Sequence, residues 1–159
     1  MPREHQFEIS VLWTGNTGTG TSGYRSYSRN HEVSAVGKAP IAASSDPVFR
    51  GDAARYNPEE MLVASLSACH MLWYLHLCVE HGVVVTGYRD SAFGLLREEP
   101  AGSGAFTEVV LRPVITIREG SPEQEARSLH EVAHRYCFIA NSVNFPVCHE
   151  ATVTVERAR

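Results

Sequence analysis

Residues 57–82 constrain this chain more than any other segment. Asn57 can cap a helix, Pro58 suits the first helical position, and Glu60 closes a capping box three residues after the cap. Leu62, Ala64, Leu66, Ala68, Met71, Leu72, Trp73, Leu75, Leu77 and Val79 then follow with no breaker before Gly82. The pattern predicts a helix to about residue 81, stopped by the glycine. Its apolar side chains cover nearly every face, and a helix apolar all round is a buried one. The rest of the chain has to wrap it.

The flanking segments supply the wrapping. Phe7, Ile9, Val11 and Trp13 alternate with Glu8, Ser10 and Leu12, which reads as a half-buried strand. Residues 14–23 are rich in Gly, Thr and Ser and read as a turn; no Gly-Lys-Ser/Thr follows, as a phosphate loop requires. Residues 24–28 and 31–36 read as two short strands, and 38–56 as a long irregular stretch of the kind that is functional or disordered. Downstream, 83–96 and 106–117 read as an antiparallel pair across a turn at 98–104, with Pro113 marking an edge or bulge. Ser121-Pro122-Glu123-Gln124 starts a second helix with another capping box, and its apolar stripe is Ala126, Leu129, Ala133 and Tyr136. Ala151, Val153 and Val155 close the chain as a strand. The sum is one α+β domain over residues 1–159, with helices packed on a mostly antiparallel sheet and no repeats.

Bulk properties narrow the function. A chain of 159 residues, 43% apolar and 20% charged, can bury a core without staples. A net charge of -4 gives no electrostatic reason to expect nucleic acid or an anionic membrane as partner. Thirteen of the fourteen basic residues are arginines, with Lys38 the exception. The polar N-terminus is no signal peptide, and no run approaches the roughly 18 uninterrupted apolar residues of a membrane span. The expected location is cytoplasmic. In a reducing compartment four cysteines argue against a disulfide framework and for buried, metal-binding or redox-active thiols.

Two constellations carry possible chemistry. Cys69 and Cys78 are nine residues apart on the long helix, on opposite sides, so they cannot pair while the helix stands. Cys78 is read as a core cysteine. Cys137 falls where the second helix ends, and Cys148 lies near the last strand beside His149. Free cysteines are among the most buried residue types, so position alone makes none of them reactive. The second constellation is His130-Glu131-Val132-Ala133-His134, a match to the zinc-protease pattern H-E-x-x-H. On a helix both histidines could grip zinc, with Glu131 as general base. A third ligand is required, and Cys137 stands where the metzincin extension has glycine. Glu150 or His149 could serve only if the chain folds back.

The stretch Asn57-Pro58-Glu59-Glu60-Met61-Leu62-Val63-Ala64-Ser65-Leu66-Ser67-Ala68-Cys69-His70 resembles the central helix motif of the OsmC/Ohr family. There an Asn-Pro-Glu start precedes a reactive cysteine by the same spacing. Cys137-Phe138-Ile139-Ala140-Asn141-Ser142 resembles the segment holding the family's second redox cysteine, with Phe138 where many members have proline. The resemblance implies an OsmC-like fold, a homodimer with active sites at the interface, and a thiol-dependent hydroperoxide reductase. Such a peroxidase would serve antioxidant stress defence without metal or cofactor. In that reading the Cys69 thiolate attacks the hydroperoxide, Cys137 resolves the sulfenic acid as a disulfide, and an external dithiol reduces it. The family's activating arginine is held by a glutamate, which Glu59 matches. Arg50 is the first choice for the arginine, with Arg25 and Arg55 as rivals. Ten residues separate Glu59 from Cys69, roughly 15 Å of helical rise. Either the helix breaks near its start, or Glu59 comes from a second subunit. Two other readings stand beside this one: a zinc-dependent hydrolase built on His130 and His134, and a non-catalytic small-molecule-binding protein with incidental thiols.

Overall fold

A computed structural model describes residues 1–157. Its contacts divide the chain into two compact units, one ending at Met61 and the other beginning at Leu62. The first unit is a three-stranded antiparallel sheet, β1 (Ser10–Trp13), β2 (His31–Ser34) and β3 (Ile41–Ala43), in that order. In the connection after β1 the Asn16 carbonyl oxygen accepts the amides of Gly18 and Gly20, which makes it a side-chain-built turn. The strand expected at 24–28 contracts to one bridge between Asn16 and Tyr27. The reason is local: Ser26 N–H turns back to the Gly23 carbonyl, and Arg29 lies over the Tyr27 ring. β3 falls inside the stretch read as irregular, because three residues are too few to show alternation. β1 is exposed along its whole length, not half-buried as its alternation suggested, so Val11 and Leu12 face solvent in the single chain.

The capping box before the long helix is present. Glu60 N–H donates to Asn57 Oδ1 at 2.8 Å, and Asn57 N–H donates to Glu60 Oε2 at 3.1 Å. The helix, α1, runs Pro58–Glu80 without a break. It ends in a Schellman motif: Gly82 takes φ 69°, its N–H reaches the Val79 carbonyl, and Val83 N–H reaches that of Cys78. By length and composition α1 could cross a membrane. Within the chain its burial is confined to one stripe, Leu66, His70, Tyr74, Leu77 and Cys78. Leu72 and Val79, on the other side, are exposed.

Around α1 the second unit places β4 (Val85–Asp90), β5 (Phe93–Glu98), β6 (Gly104–Leu111), β7 (Pro113–Arg118), α2 (Glu123–Tyr136), β8 (Val147–His149) and β9 (Thr152–Glu156). They form two sheets, β4-β7-β9 and β5-β6-β8. Each of the two long strands expected from the sequence is therefore two strands in different sheets. The breaks are tied together, because Asp90 accepts the Arg112 amide at 2.7 Å with one carboxylate oxygen and the Ser67 hydroxyl with the other. Pro113 opens β7, a position where a missing N–H costs no ladder bond. β8 and β9 add in parallel to β6 and β7, which makes the two sheets mixed.

Two cores result. Tyr74, Leu77 and Cys78 of α1 pack with Ile115, Ile117 and Val153 of the first sheet and Ala126, Leu129 and Ala133 of α2. Leu66 packs with Val109, Leu111 and Val147 of the second sheet. The expected capping box of α2 is absent: Pro122 makes no side-chain cap, and the Ser121 hydroxyl instead accepts the Val84 amide at 3.1 Å. The stripe of α2 also differs from the expected one. His130 is buried, whereas Tyr136 is half exposed.

Leu129 is almost wholly enclosed in the first core. Leu129→Ala should therefore cost about 2–5 kcal/mol, read as a lower midpoint at unchanged slope in urea unfolding.

Candidate active site

Cys69 and Cys137 are brought together within the second unit. Cys69 is half-buried on α1, and Cys137 is buried at the C-terminal cap of α2. The backbone of Cys137 is held by local hydrogen bonds. Its N–H donates to the Ala133 carbonyl at 3.0 Å, its carbonyl accepts the Asn141 amide at 3.0 Å, and its sulfur accepts the Ala140 amide at 3.4 Å. Burial pushes the Cys137 thiol up to about 11, with the hydrogen bond to Cys69 adding to the rise against the opposing pull of the Ala140 amide. One thiol of the pair is buried, and the other is partly open to solvent.

Aromatic side chains surround the pair. Trp73, one turn from Cys69, stacks on Tyr136 at 5.3 Å and meets Phe138 edge-on at 5.5 Å. Tyr136 and Phe138 flank Cys137 in sequence and are exposed. Phe138 is the residue that departs from the proline of many relatives, and here it joins this aromatic group.

The H-E-x-x-H segment lies close by and has another use. His130 Nδ1 and His70 Nε2 are 3.0 Å apart, with ring planes within 8° and ring centres 5.4 Å apart. That separation is near the longest that imidazoles joined through these nitrogens can reach, so the nitrogens point at each other in one shared plane. This is an in-line N–H···N hydrogen bond between two fully buried rings. The chain does fold back, and β8 brings His149 within 5.5 Å of His70, 6.1 Å of His130 and 5.8 Å of His134, measured between ring centres. His149 Nε2 lies 3.3 Å from Glu131 Oε2. Among the described residues no group of three histidines, cysteines or carboxylates could hold a metal ion. Tyr74 covers the other side of the pair, its ring 3.9 Å from that of His130, and its hydroxyl donates to the Ala126 carbonyl.

The pairing of His70 with His130 escaped sequence reasoning, although a signal existed. His70 stands four residues from both Leu66 and Tyr74, on what proves to be the buried stripe of α1. His130 stands four residues after Ala126 on that of α2. The other expected site residues belong to the first unit. Arg50 follows a 3-10 turn, Pro47–Phe49, in the left-handed conformation, with φ 66°. Arg55 is engaged with Asp52 at 3.7 Å and the His31 carbonyl at 3.5 Å, and Arg25 is exposed. Glu59 lies in the first turn of α1 and is half-buried. Of the remaining cysteines, Cys78 is a core residue whose thiol burial pushes up, and Cys148 is exposed.

The profile of the OsmC-like protein family matches residues 51–152. The chain belongs to the OsmC-like family. An OsmC-like protein of unknown function from Vibrio cholerae is 33% identical, with a TM-score of 0.84 over 93% of this chain and 99% of that one. An organic hydroperoxide resistance protein from Elizabethkingia anophelis, with thiocyanate bound, shares the fold at 20% identity and a TM-score of 0.66, over 97% of this chain and 100% of that one. Another organic hydroperoxide resistance protein, from Legionella pneumophila, shares it at 19% identity and 0.65, over 96% and 100%. No curated protein matches the chain significantly. The OsmC-like fold is thus an α+β arrangement of two helices on antiparallel and mixed sheets, and proteins of hydroperoxide resistance are among its holders.

The histidine pair sets a pH dependence. Burial pushes His70 down to about 4 and His130 down to about 3, with neighbouring imidazoles adding to both. Above the ordinary value of 6.5 both rings are neutral whether the chain is folded or not, so their contribution is complete there. As pH falls below 6.5 the unfolded chain takes up protons that the folded chain refuses, and stability drops. The melting temperature should fall by roughly 5 °C or more between pH 7 and pH 5. A flat profile over that window would show that the rings are not held neutral.

Proposed function

We propose that this OsmC-like protein is a thiol-dependent hydroperoxide reductase in which Cys69 attacks and Cys137 resolves. What carries the reading is the coupling of the Cys69 and Cys137 thiols, with Cys137 buried and Cys69 half-buried. Family membership supports the same chemistry, because hydroperoxide resistance proteins share the fold.

The steps balance with the thiols alone. The Cys69 thiolate attacks the O–O bond; an S–O bond forms, the O–O bond breaks, and the departing alkoxide takes a proton to leave as alcohol. Cys69 is then a sulfenic acid. The Cys137 sulfur attacks it, an S–S bond forms, and the hydroxyl departs with the Cys137 proton as water. An external dithiol reduces the disulfide and becomes one itself. The exposed aromatic side chains beside the thiols favour hydroperoxides with an apolar organic group over hydrogen peroxide.

Activation of Cys69 is assigned to Arg50, held by Glu59. A guanidinium can bind a carboxylate and still present donors to a thiolate or peroxide. The working unit is a homodimer in the cytoplasm, whose subunits complete each other's sites. Its support is the apolar surface the single chain exposes on β1 and α1, including Val11, Leu12, Leu72 and Val79.

One equivalent of an organic hydroperoxide should consume both thiols and link Cys69 to Cys137, as peptide mapping reads, with Cys78 and Cys148 left free. Cys69→Ser should abolish peroxide consumption, and Cys137→Ser should leave one turnover that stalls at sulfenic acid. A dominant bridge to Cys78 or Cys148 would overturn the assignment. Arg50→Ala should slow the first step about tenfold or more through loss of thiolate stabilisation, while leaving the melting temperature close to wild type. Sedimentation of a fully active monomer would sink the shared-site dimer.

A further inference from the structure

We propose that His70 and His130 are positioning residues for the dithiol, their in-line hydrogen bond holding α1 and α2 in the register that presents Cys137 to Cys69. The proposal deepens the peroxidase reading, because it takes the same two cysteines as the redox pair.

The contacts between the helices form an antiparallel ladder. Tyr74 meets Ala126 and His130, His70 meets His130, and Cys69 meets Cys137. Residue numbers fall along α1 as they rise along α2. The histidine bond is the buried polar contact next to the thiols, since His70 follows Cys69 directly and Cys137 lies two turns beyond His130. Most other helix-to-helix contacts in this core are apolar. Leu129, Ala126 and Ala133 contribute apolar burial, which is non-directional. A hydrogen bond between two buried ring nitrogens is directional and fails within a fraction of a helical step.

The bond also has no substitute partner. His70 Nδ1 and His130 Nε2 make no hydrogen bond among the described residues, and both are buried. Whichever ring donates, one N–H stays unpaired at the outer edge of the pair. A slip that broke the central bond would remove the one hydrogen bond the two rings make. The arrangement therefore tolerates one register and penalises its neighbours. The groups facing the pair are Tyr74 from α1, His134 and Glu131 from α2, and His149 from β8. His149 Nε2 is itself engaged with Glu131 Oε2 at 3.3 Å.

Side-chain geometry supplies a test that separates positioning from simple loss of core volume. An asparagine amide lies near where a histidine carries Nδ1, and a glutamine amide near where it carries Nε2. His70 bonds through Nε2 and His130 through Nδ1. His70→Gln and His130→Asn can therefore keep the bond, whereas His70→Asn and His130→Gln break it. Val153→Ala serves as a control that weakens the same core away from the thiols.

The readout is the Cys69–Cys137 thiol–disulfide equilibrium in glutathione buffers, which needs no hydroperoxide. The breaking variants should lower the effective concentration of the two thiols at least tenfold, a rise of about 30 mV in reduction potential. The keeping variants and Val153→Ala should stay within about threefold of wild type. With hydroperoxide, the breaking variants should still oxidise Cys69 at the wild-type rate but resolve it slowly, so that sulfinic acid accumulates. Equal potentials in keeping and breaking variants would overturn the proposal. So would a shift in Val153→Ala as large as theirs. Should a breaking variant fail to fold, the keeping variants decide: a tenfold shift in either, with the bond restored, refutes it, and wild-type values support it. A wild-type protein that forms the disulfide in glutathione but ignores hydroperoxides would refute the peroxidase reading and leave the positioning role standing.

Discussion

The register of α1 against α2 is the constraint on which the rest of the second unit depends. Apolar burial brings the two helices together, through Leu77 and Cys78 on one side and Ala126, Leu129 and Ala133 on the other. Burial is roughly proportional to area and indifferent to direction, so by itself it fixes proximity and not alignment. Alignment comes from the buried polar contacts of Tyr74, His70 and His130. A net hydrogen bond contributes only about 1 kcal/mol, but a buried group left without its partner costs up to about 3. The asymmetry makes the native register the one arrangement without added penalty.

That alignment gives the two thiols their different characters. Cys137 is fixed on three sides by the local backbone and is enclosed, which keeps its proton on. Cys69 stands on a helix face that is partly open. A disulfide demands alpha carbons about 4.4–6.8 Å apart, and a helix cap facing a helix side can meet that demand with little movement. The cap position matters for a second reason. Beyond Cys137 the chain turns at once into the short 3-10 turn Ala140–Ser142, so the segment carrying the Cys137 sulfur is short and tethered at both ends.

How much of this was legible in the sequence depended on whether a signal was local. The cap at Asn57 and Glu60 and the stop at Gly82 are local devices, and both stand where residues 57–82 placed them. The same holds for Cys137 at the end of α2 and for Cys78 in the core. Non-local features were not legible. Nothing near Asp90 or Arg112 announces that two strands change sheets there, because the link between them spans 22 residues. β3 and β8 are three residues each, too short for a period of two to show. Ser121 carries a good helix-cap signature, but its hydroxyl is taken by Val84, 37 positions away. His130 suggested zinc for the same reason: the pattern shows two histidines one turn apart, and the partner that claims one of them is 60 residues distant.

The composition of α1 misled in an instructive way. Apolar residues on every face implied burial on every face, yet the single chain buries only the stripe through Leu66, His70 and Tyr74. Ser65, Ala68, Leu72, His76 and Val79 form a second, exposed stripe at helical spacing. A helix that served only its own core would carry charges there, as α2 does with Glu123, Arg127, Glu131 and Arg135. The exposed stripe of α1 carries no carboxylate, lysine or arginine between Ser65 and Val79. Cys69 stands on the seam between the two stripes, beside Leu66 and His70 on one side and Ser65, Ala68 and Leu72 on the other. A residue at that seam can hold its partner thiol inward while its sulfur remains reachable from the uncovered face. The same absence of a charged face that hid the direction of burial therefore places the half-buried thiol at the edge of an exposed, largely apolar helix face.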